Sequence, residues 1–455
     1  MFKCPNCGAD LKFSPKAKSV TCKYCEGTFD PKELKVHVKR AQEQNTFEGK
    51  SFLCSQCGAE LMTFDETAIT FCSYCGSQAM LESRMVTQNC PNYIIPFKID
   101  REECIKEYKK VLKKSLFTPS YMKSDITLQK FRGIYMPYCI YTLAFNGKCS
   151  NKGSKYSHRK GNYDYYDDYE IDADVNAKYT GISYDLISNF YDDFSQKVPF
   201  NFKEVEDFNF NYMSGFYADT KDVDEAIYDR MATSVANADA PKYLSKRKEF
   251  SKYGCSNPKI GLSVSKRETG MFPVYFLAVR NKDEKYIHYV VVNGQTGKIA
   301  ADLPIDFKKY ILGSIILAVP IFLLIHLSNI VFTPQSVTVF AIIASVISMI
   351  IAANLAKKIK VKETHEDDLG LIVKTKKEVK IKVKTGKYIR KQIFALILGI
   401  LLLIINPIDD VVFYTGSLIT LFLVILTFYS LVKEYNVLVR NKLPQLEKRG
   451  GDEHE

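Results

Sequence analysis

The sequence predicts a multidomain protein: two small β zinc ribbons, an α+β cytosolic domain, and a four-helix transmembrane region. Its 455 residues are about three times the length of a typical domain, so several folding units are expected. Eight of the 13 cysteines lie before Gly76, and nearly all long uncharged runs lie after Phe307. The two ends of the chain therefore belong to different physical classes, one suited to metal and the other to lipid.

Composition excludes several classes for the whole chain. Hydrophobic residues make up 46% and charged residues 25%, which are ordinary globular values and exclude disorder and a small disulfide scaffold. The formal net charge is +12, and residues 357–391 alone carry 13 basic and 5 acidic side chains. Most of the positive charge thus lies in one segment, which we expect to be a loop between membrane spans.

A repeat at an offset of 50 residues organises the first part of the chain. The segment Cys4-Pro-Asn-Cys7-Gly-Ala-Asp-Leu11 recurs as Cys54-Ser-Gln-Cys57-Gly-Ala-Glu-Leu61, and Cys22-Lys-Tyr-Cys25 recurs as Cys72-Ser-Tyr-Cys75. Each C-x2-C turn offers two thiolates to one ion, and two turns complete a tetrahedral zinc site. The predicted ligands are Cys4, Cys7, Cys22 and Cys25 in the first set, and Cys54, Cys57, Cys72 and Cys75 in the second.

Four thiolates leave no open coordination position, so the sequence predicts two structural Zn²⁺ ions that do no chemistry. We place the first ribbon at residues 1–30, a linker at 31–50 and the second ribbon at 51–85. The segment 51–89 has one basic side chain, Arg84, against four acidic ones, which disfavours nucleic acid as a partner because phosphates must be neutralised. The five remaining cysteines have no C-x-x-C spacing and are expected to be buried thiols.

Residues 90–307 are expected to form an α+β cytosolic domain. Asp100 and Glu103 have the spacing of a capping box and predict a helix start. A second helix is predicted over residues 222–238 from the same spacing of Asp222 and Glu225. Aromatic and β-branched runs at 134–145 and 272–279 predict strands, and the segment 293–298 predicts a turn between two strands.

The acidic segment 163–174 allows two interpretations. Its carboxylates are the oxygen ligands that calcium prefers, but the EF-hand pattern with its central glycine is missing. An exposed acidic loop or strand edge is the favoured interpretation. No phosphate loop, dinucleotide fingerprint or hydrolase motif occurs in the chain, and we expect a protein that is not an enzyme.

Four apolar runs predict membrane spans within residues 308–432. Each is long enough, or nearly so, to cross a hydrocarbon core of about 30 Å. They cover residues 310–332, 337–356, 392–408 and 411–432, and the third is the shortest. A basic cytosolic loop at 357–391 separates the second span from the third, and a tail follows at 433–455.

Lysine and arginine accumulate on the cytoplasmic side of membrane proteins. Lys308 and Lys309 precede the first span, the loop 357–391 follows the second, and the tail contains Arg440 and Lys448. This placement predicts a multi-pass protein of the cell membrane with both termini cytoplasmic. The loop is expected either to rest on anionic membrane lipids or only to fix the topology. His326 in the first span is interpreted as an interfacial or packing residue, with a proton relay as the alternative.

The order of these parts resembles a bacterial family of membrane proteins with paired transcription factor IIB-type zinc ribbons, often labelled replication restart helicase-like. The resemblance covers nearly the whole chain. It depends on the ribbons, the hydrophobic carboxyl-terminal half and the segments Ile95-Pro-Phe-Lys98, Gly133-Ile-Tyr-Met-Pro137, Phe272-Pro-Val-Tyr275 and Asn293-Gly-Gln-Thr-Gly-Lys298. Relatives tend to have tryptophan where this chain has Tyr138 and Tyr275. The absence of a phosphate loop argues against the helicase label.

The resemblance implies no catalysis and suggests components of membrane stress that hold phage-shock-type proteins at the cytoplasmic face. The predicted function is a membrane-anchored zinc-ribbon adaptor that docks a cytosolic protein. The alternative is a membrane-tethered regulator whose ribbons contact nucleic acid. A transporter is disfavoured because the predicted spans carry almost no ionisable residue.

Overall fold

The computed structural model describes residues 3–34, 46–64, 69, 71–78, 80–280, 286–328, 333–364, 385–407 and 410–442. The strands are β1 (Leu11–Ser14), β2 (Ser19–Cys22), β3 (Thr28–Phe29), β4 (Thr46–Cys54), β5 (Glu60–Thr63), β6 (Met80–Asn89), β7 (Tyr93–Ile94), β8 (Arg132–Lys160), β9 (Tyr163–Asp185), β10 (Glu206–Asp207), β11 (Tyr217–Asp219), β12 (Ser263–Arg280), β13 (Tyr286–Asn293), β14 (Ile299–Ala301) and β15 (Asn441–Lys442). The helices are α1 (Arg101–Lys114), α2 (Asp125–Leu128), α3 (Asp192–Lys197), α4 (Asp229–Leu244), α5 (Lys248–Ser251), α6 (Phe307–Leu327), α7 (Pro334–Thr364), α8 (Thr385–Ile405) and α9 (Asp410–Leu438).

The described strands form two sheets. Strands β1, β2 and β3 make a small antiparallel sheet next to the first cysteine set, and the other strands join one 12-stranded sheet. Along the main path the order is β10-β7-β12-β8-β11-β5-β4-β6. The strands β5, β4 and β6 surround the second cysteine set, so this set belongs to the large sheet. The central domain is rich in sheet, and helices α1 and α4 are its longest helices.

The strand β4 begins inside the segment that the sequence assigned to the linker. Residues 46–50 already pair with β6, from Thr46 opposite Asn89 to Lys50 opposite Met85. The remaining linker residues 35–45 lie outside the described residues. Alternation of buried and exposed side chains over 46–54 shows why this segment is a strand with one inward face.

Helix α1 begins where the sequence predicts. The Asp100 carboxylate accepts a hydrogen bond from the Glu103 backbone N–H at 2.8 Å, which satisfies one unpaired donor of the first turn. The turn predicted at 293–298 also forms, since the Asn293 side chain accepts hydrogen bonds from the backbone N–H groups of Gln295 and Thr296. It connects β13 to β14.

The acidic segment 163–174 forms the first half of β9. It pairs antiparallel with β8, and in that register basic residues of β8 face acidic residues of β9 directly. The opposed pairs are Lys148 with Asp174, Lys152 with Glu170, Lys155 with Asp167, and Arg159 with Asp164. Opposite charges that face each other across a strand pair are favourable, so the acidic run is one side of a charge-matched hairpin.

Among the residues that the structure describes, three helices are long and apolar enough to span a membrane. They cover Phe307–Leu327, Pro334–Lys362 and Val411–Leu438. The third of the four predicted spans, 392–408, falls on α8, whose apolar part Gln392–Ile405 is shorter than a span requires. The described part of the chain therefore has three candidate spans and the character of a membrane protein. The fourth span that the sequence predicts is not confirmed, because the apolar part of α8 ends at Ile405.

Helices α7, α8 and α9 pack against one another through small residues. A Cβ on Gly399 would lie 2.8 Å from Ile342 Cγ1, and one on Gly416 would lie 2.7 Å from Leu402. Small residues allow membrane helices to approach closely, which matters because the hydrophobic effect does not drive helix association inside a membrane. Thr338 and Ser417 add a buried hydroxyl contact of 2.7 Å between α7 and α9.

None of the residues of helix α6 is buried, although its first residue, Phe307, packs edge to face against Tyr429 of α9 with centroids 4.7 Å apart. The first turn of α6 is fixed to the central domain. The Asp306 carboxylate caps the helix by accepting from the backbone N–H of Lys308 at 3.0 Å, and the Lys309 ammonium donates to the Thr118 carbonyl at 2.9 Å. The Phe117 and Tyr310 rings also meet edge to face, with centroids 5.3 Å apart.

The end of α9 returns to the central domain at the point where α6 leaves it. The Asn436 side chain accepts from the Ile305 N–H at 2.8 Å and donates to the Ile305 carbonyl at 2.9 Å. After the helix ends, β15 adds to the edge of β13, with Asn441 opposite Ile287. Both ends of the helical region are thus bonded to the same sheet-rich domain.

Candidate metal centres

The structure brings the eight predicted cysteines into two groups of four. Within each group the sulfur atoms all lie within 4.8 Å of one another. The Sγ atoms of Cys4 and Cys25 are 3.5 Å apart, and those of Cys54 and Cys75 are 3.6 Å apart. A tetrahedron with Zn–S bonds of about 2.3 Å has S···S edges of about 3.8 Å, so the spacing fits one zinc-sized ion in each group.

Backbone hydrogen bonds fold each C-x-x-C turn in the same way. The Gly8 N–H donates to the Cys4 carbonyl at 2.8 Å, and the equivalent Gly58 N–H donates to Cys54 at 2.8 Å. Gly8 has φ of 73° and Gly58 has φ of 68°, in the left-handed region that glycine enters without strain. The positive φ of these glycines redirects the backbone after each C-x-x-C segment, so that both thiols face the centre of their cysteine group.

The first group departs from this rule at its second turn. Gly76 follows Cys75 with φ of 68°, whereas Glu26 follows Cys25 and adopts φ of 57°. A residue with a Cβ is strained in the left-handed region. The backbone geometry required by the cysteine turn therefore overrides the preference of the side chain at Glu26.

The thiols of each group share protons unequally. Hydrogen bonds from the Cys57, Cys72 and Cys75 thiols lower the pKa of Cys54. The same hydrogen bond between Cys57 and Cys54 raises the pKa of Cys57. In the first group the backbone N–H of Cys25 lowers the pKa of Cys22 to about 7. A cation at the centre favours thiolates throughout, so metal binding displaces the remaining protons.

The two groups differ sharply in exposure. Cys7 and Cys25 of the first group are exposed, whereas all four cysteines of the second group are buried. The tyrosines between the ligands follow the same division, since Tyr24 is 83% exposed and Tyr74 is fully buried. The first group therefore presents its turns to solvent, and the second is enclosed by protein.

Tertiary contacts that the sequence did not reveal enclose the second group. The Tyr74 hydroxyl donates to the buried Asp219 carboxylate on β11. The Arg280 guanidinium, at the end of β12, donates to the Cys75 carbonyl. Strand β11 also pairs with β5, placing Asp219 opposite Leu61. Elements more than 140 residues apart in the chain thus hold one metal centre.

The first ribbon attaches to the central domain through a different set of contacts. The Phe13 backbone N–H donates to the Ser214 carbonyl at 3.0 Å, and the Asn211 side chain donates to the Pro31 carbonyl at 2.7 Å. Rings of Phe13 and Tyr212 pack edge to face at 5.2 Å. One face of the ribbon is therefore fixed while its cysteine turns face outward.

The remaining residues singled out in the sequence do not form a metal centre in the described part of the chain. Among the five other cysteines, Cys90 is partly buried and Cys104, Cys139, Cys149 and Cys255 are buried. His326 packs its ring parallel to Phe322 on α6, with centroids 6.2 Å apart. Residues 365–384 of the basic loop and 443–455 of the tail lie outside the described residues.

The chain is similar to the uncharacterized protein YdjG of Bacillus subtilis strain 168. The two are 28% identical over 316 residues, which cover 68% of this chain and 91% of that protein. No family model matches the chain, and no solved structure matches it. The similarity thus extends through most of both chains, and the printed name of the relative carries no activity.

Proposed function

We propose that the protein is a non-enzymatic, membrane-anchored zinc-ribbon adaptor that docks a cytosolic protein at the inner face of the membrane. The observation that carries the proposal is the unequal exposure of two equivalent ribbons. The second is built into the large sheet, whereas the first presents Cys7, Cys25 and the 83% exposed Tyr24. The second ribbon is then structural, and the first is the docking surface.

The proposed metal in both ribbons is zinc. Four cysteine sulfurs at tetrahedral spacing are the donor set that Zn²⁺ prefers in closed structural sites. Such a site has no position for substrate or activated water, which supports an adaptor over an enzyme. Metal binding supplies folding free energy that a ribbon of about 30 residues cannot obtain from its own core.

The proposed topology has four crossings with both termini cytoplasmic. The bonded pair Ile305 and Asn436 supports an even number, because a chain that leaves a domain and returns to it crosses the membrane an even number of times. The apolar part of α8 alone is shorter than a span, but the whole helix has 21 residues, about 31 Å at 1.5 Å per residue, and it packs against both α7 and α9. Lysines in the loop 357–391 support the cytoplasmic side for the domain.

Charge favours protein over nucleic acid as the partner. Residues 1–30 carry five basic and three acidic side chains, too small an excess to neutralise several phosphates. The second ribbon has one arginine within 51–89, and its core is covered by β11 and β12. The resemblance to zinc-ribbon membrane proteins supports a partner of the phage-shock type and a role in membrane stress.

Co-purification tests this function. The full-length protein is isolated from its own cells in mild detergent, beside a Cys7→Ser/Cys25→Ser variant. We expect a specific cytosolic protein to accompany the wild type and to be lost with the variant, whose other ribbon still holds metal. As a matched control, Cys149→Ser changes a cysteine outside both groups and should retain the partner. Recovery of nucleic acid with the wild type, and of no protein, would favour the tethered regulator.

A further inference from the structure

A pocket lies where the first ribbon, the second ribbon and the central domain meet. It has a volume of about 310 Å³, the size of a site for a small organic molecule. Lys12 and Pro15 come from the first ribbon, Thr63 from the second, and the remaining lining residues from the central domain. These are Arg101, Phe131, Arg132, Gly133, Gly215, Phe216, Tyr217 and Tyr275.

Three cationic side chains line this pocket, and no carboxylate does. The ion pairs formed by the described residues do not include Lys12, Arg101 or Arg132. Like charges that line one pocket repel one another. Three cationic side chains that line a pocket without a carboxylate indicate that the pocket suits an anionic ligand.

The two arginines are held side by side by neutral groups. The guanidinium groups of Arg101 and Arg132 both donate to the Gln129 carbonyl, and the hydrogen bond from Arg132 is 3.0 Å long. The Arg132 guanidinium also lies 4.3 Å from the Phe71 ring centroid. Burial lowers the pKa of Arg132, and the neighbouring Arg101 contributes in the same direction. Arginine remains charged at neutral pH despite such shifts, so the pocket retains an uncompensated positive charge.

Gly215 positions the third cation. Its φ is +82°, and a Cβ at this position would meet the Cβ and Cγ of Lys12 at 3.2 Å. The positive φ favours glycine at this position, and the absence of a Cβ lets the lysine stem pack closely against the backbone. The lysine of the first ribbon is therefore packed against the central domain at the edge of the pocket.

We propose that this pocket binds a small soluble molecule carrying a phosphate or diphosphate group. Arginine forks and a lysine are the groups that bind phosphate oxygens best, and the Tyr217 hydroxyl adds a neutral polar group to the lining. A ligand that contacts Lys12 and Arg101 together connects the first ribbon to the central domain. Its binding therefore stabilises the orientation in which the first ribbon is presented.

The position of the pocket favours a soluble ligand over a lipid headgroup. Arg101 begins α1, and Phe117, which follows the other end of that helix, contacts Tyr310 at the start of α6. Helix α1 has 14 residues, about 21 Å of length. The pocket thus lies at the end of α1 that is away from the first membrane helix.

Titration calorimetry with pyrophosphate tests the proposal on the full-length protein in phosphatidylcholine nanodiscs. We expect saturable binding, and we expect Lys12→Gln and Arg101→Gln each to weaken it about tenfold or more, since each removes a charged hydrogen bond. Lys16→Gln is the matched control, because Lys16 is an exposed lysine of the same ribbon outside the pocket. Metal content and far-ultraviolet circular dichroism verify that each variant is folded.

Two results would overturn the proposal. One is the absence of saturable binding at millimolar pyrophosphate, or equal binding by the wild type, Lys12→Gln and Arg101→Gln. The other is the loss of pyrophosphate binding when the nanodiscs contain phosphatidylglycerol, which would assign the pocket to lipid headgroups. Retention of binding in both membranes, with loss in the two pocket variants alone, supports a soluble phosphate ligand.

Discussion

The Tyr74 hydroxyl donates a hydrogen bond to the Asp219 carboxylate, and both side chains are buried. Tyr74 lies between the candidate metal ligands Cys72 and Cys75, whereas Asp219 ends β11 of the central sheet. Burial raises the pKa of Tyr74, and the neighbouring Asp219 raises it further, so the phenol remains a donor. This contact connects the second metal centre to the fold of the central domain.

Tyr74→Phe should therefore destabilise the second ribbon and the central domain together. It removes a donor from a buried carboxylate, and a hydrogen bond to a charged group contributes about 1.5–3 kcal/mol. The internal repeat provides a control, because Tyr24→Phe changes the equivalent, exposed tyrosine of the first ribbon and should have no effect. Thermal unfolding of the purified variants measures the difference, and equal midpoints for both would show that the contact contributes nothing.

The two proposed zinc ions should exchange at different rates. Cys7 and Cys25 are exposed and all ligands of the second group are buried, so a chelator reaches the first ion without unfolding. We expect a two-phase release of metal, with one ion per chain in the fast phase. Cys7→Ser should remove the fast phase and leave the slow one. A single phase containing both ions would contradict the difference in enclosure.

Asp302 should make the contact between domain and bundle sensitive to pH. Burial raises the pKa of Asp302 to about 6, and its carboxylate accepts from the Asn441 side chain at 2.6 Å. This folded-state pKa lies above that of an unfolded aspartate. The protonated Asp302 side chain therefore contributes stability at low pH, and this contribution is lost as pH rises through 6.

Asp302→Asn keeps an acceptor for Asn441 but cannot ionise, so its unfolding midpoint should exceed that of wild type at pH 7.5. The advantage should shrink toward pH 4. Asp168→Asn, at an exposed position of the β9 strand, serves as the control and should show no such trend. An advantage of Asp302→Asn that is equal at both pH values would refute the assignment.

Reporter fusions distinguish four crossings from three. With four crossings, fusions after residues 376 and 448 both report the cytoplasm, and fusions within 333–336 and near 407 report the outside. If α8 did not cross, the sites near 376 and 407 would lie on the same side. That result would contradict the even number of membrane crossings that the contact between Ile305 and Asn436 supports.

Local signals in the sequence were sufficient for the parts of the fold that depend on local geometry. The C-x-x-C spacing located both cysteine groups, and the pair Asp100 and Glu103 located the start of α1. The same spacing failed at Asp222, whose carboxylate accepts from the Ser188 backbone N–H at 2.7 Å instead. Asp224 caps the first turn there, and the α-helix begins only at Asp229.

Contacts between distant segments could not be predicted in this way. Tyr24 and Tyr74 occupy identical positions in two copies of one motif, and the shared C-x-x-C spacing does not distinguish the exposed residue from the buried one. The difference arises because β5 pairs with β11, which follows it by about 155 residues. Arg280 at the second metal centre and Lys12 at the pocket are likewise brought into position only by tertiary packing.

Photocross-linking from position 24 in living cells tests the adaptor most directly, because Tyr24 is the exposed residue between two ligands of the presented ribbon. A photoreactive amino acid at Tyr24 should yield one reproducible adduct with a cytosolic protein, and Cys4→Ser/Cys7→Ser in the same chain should abolish it. The same probe at the exposed Tyr243 of α4 should not give that adduct. Adducts with nucleic acid, or a protein adduct that survives loss of the first cysteine group, would contradict the account.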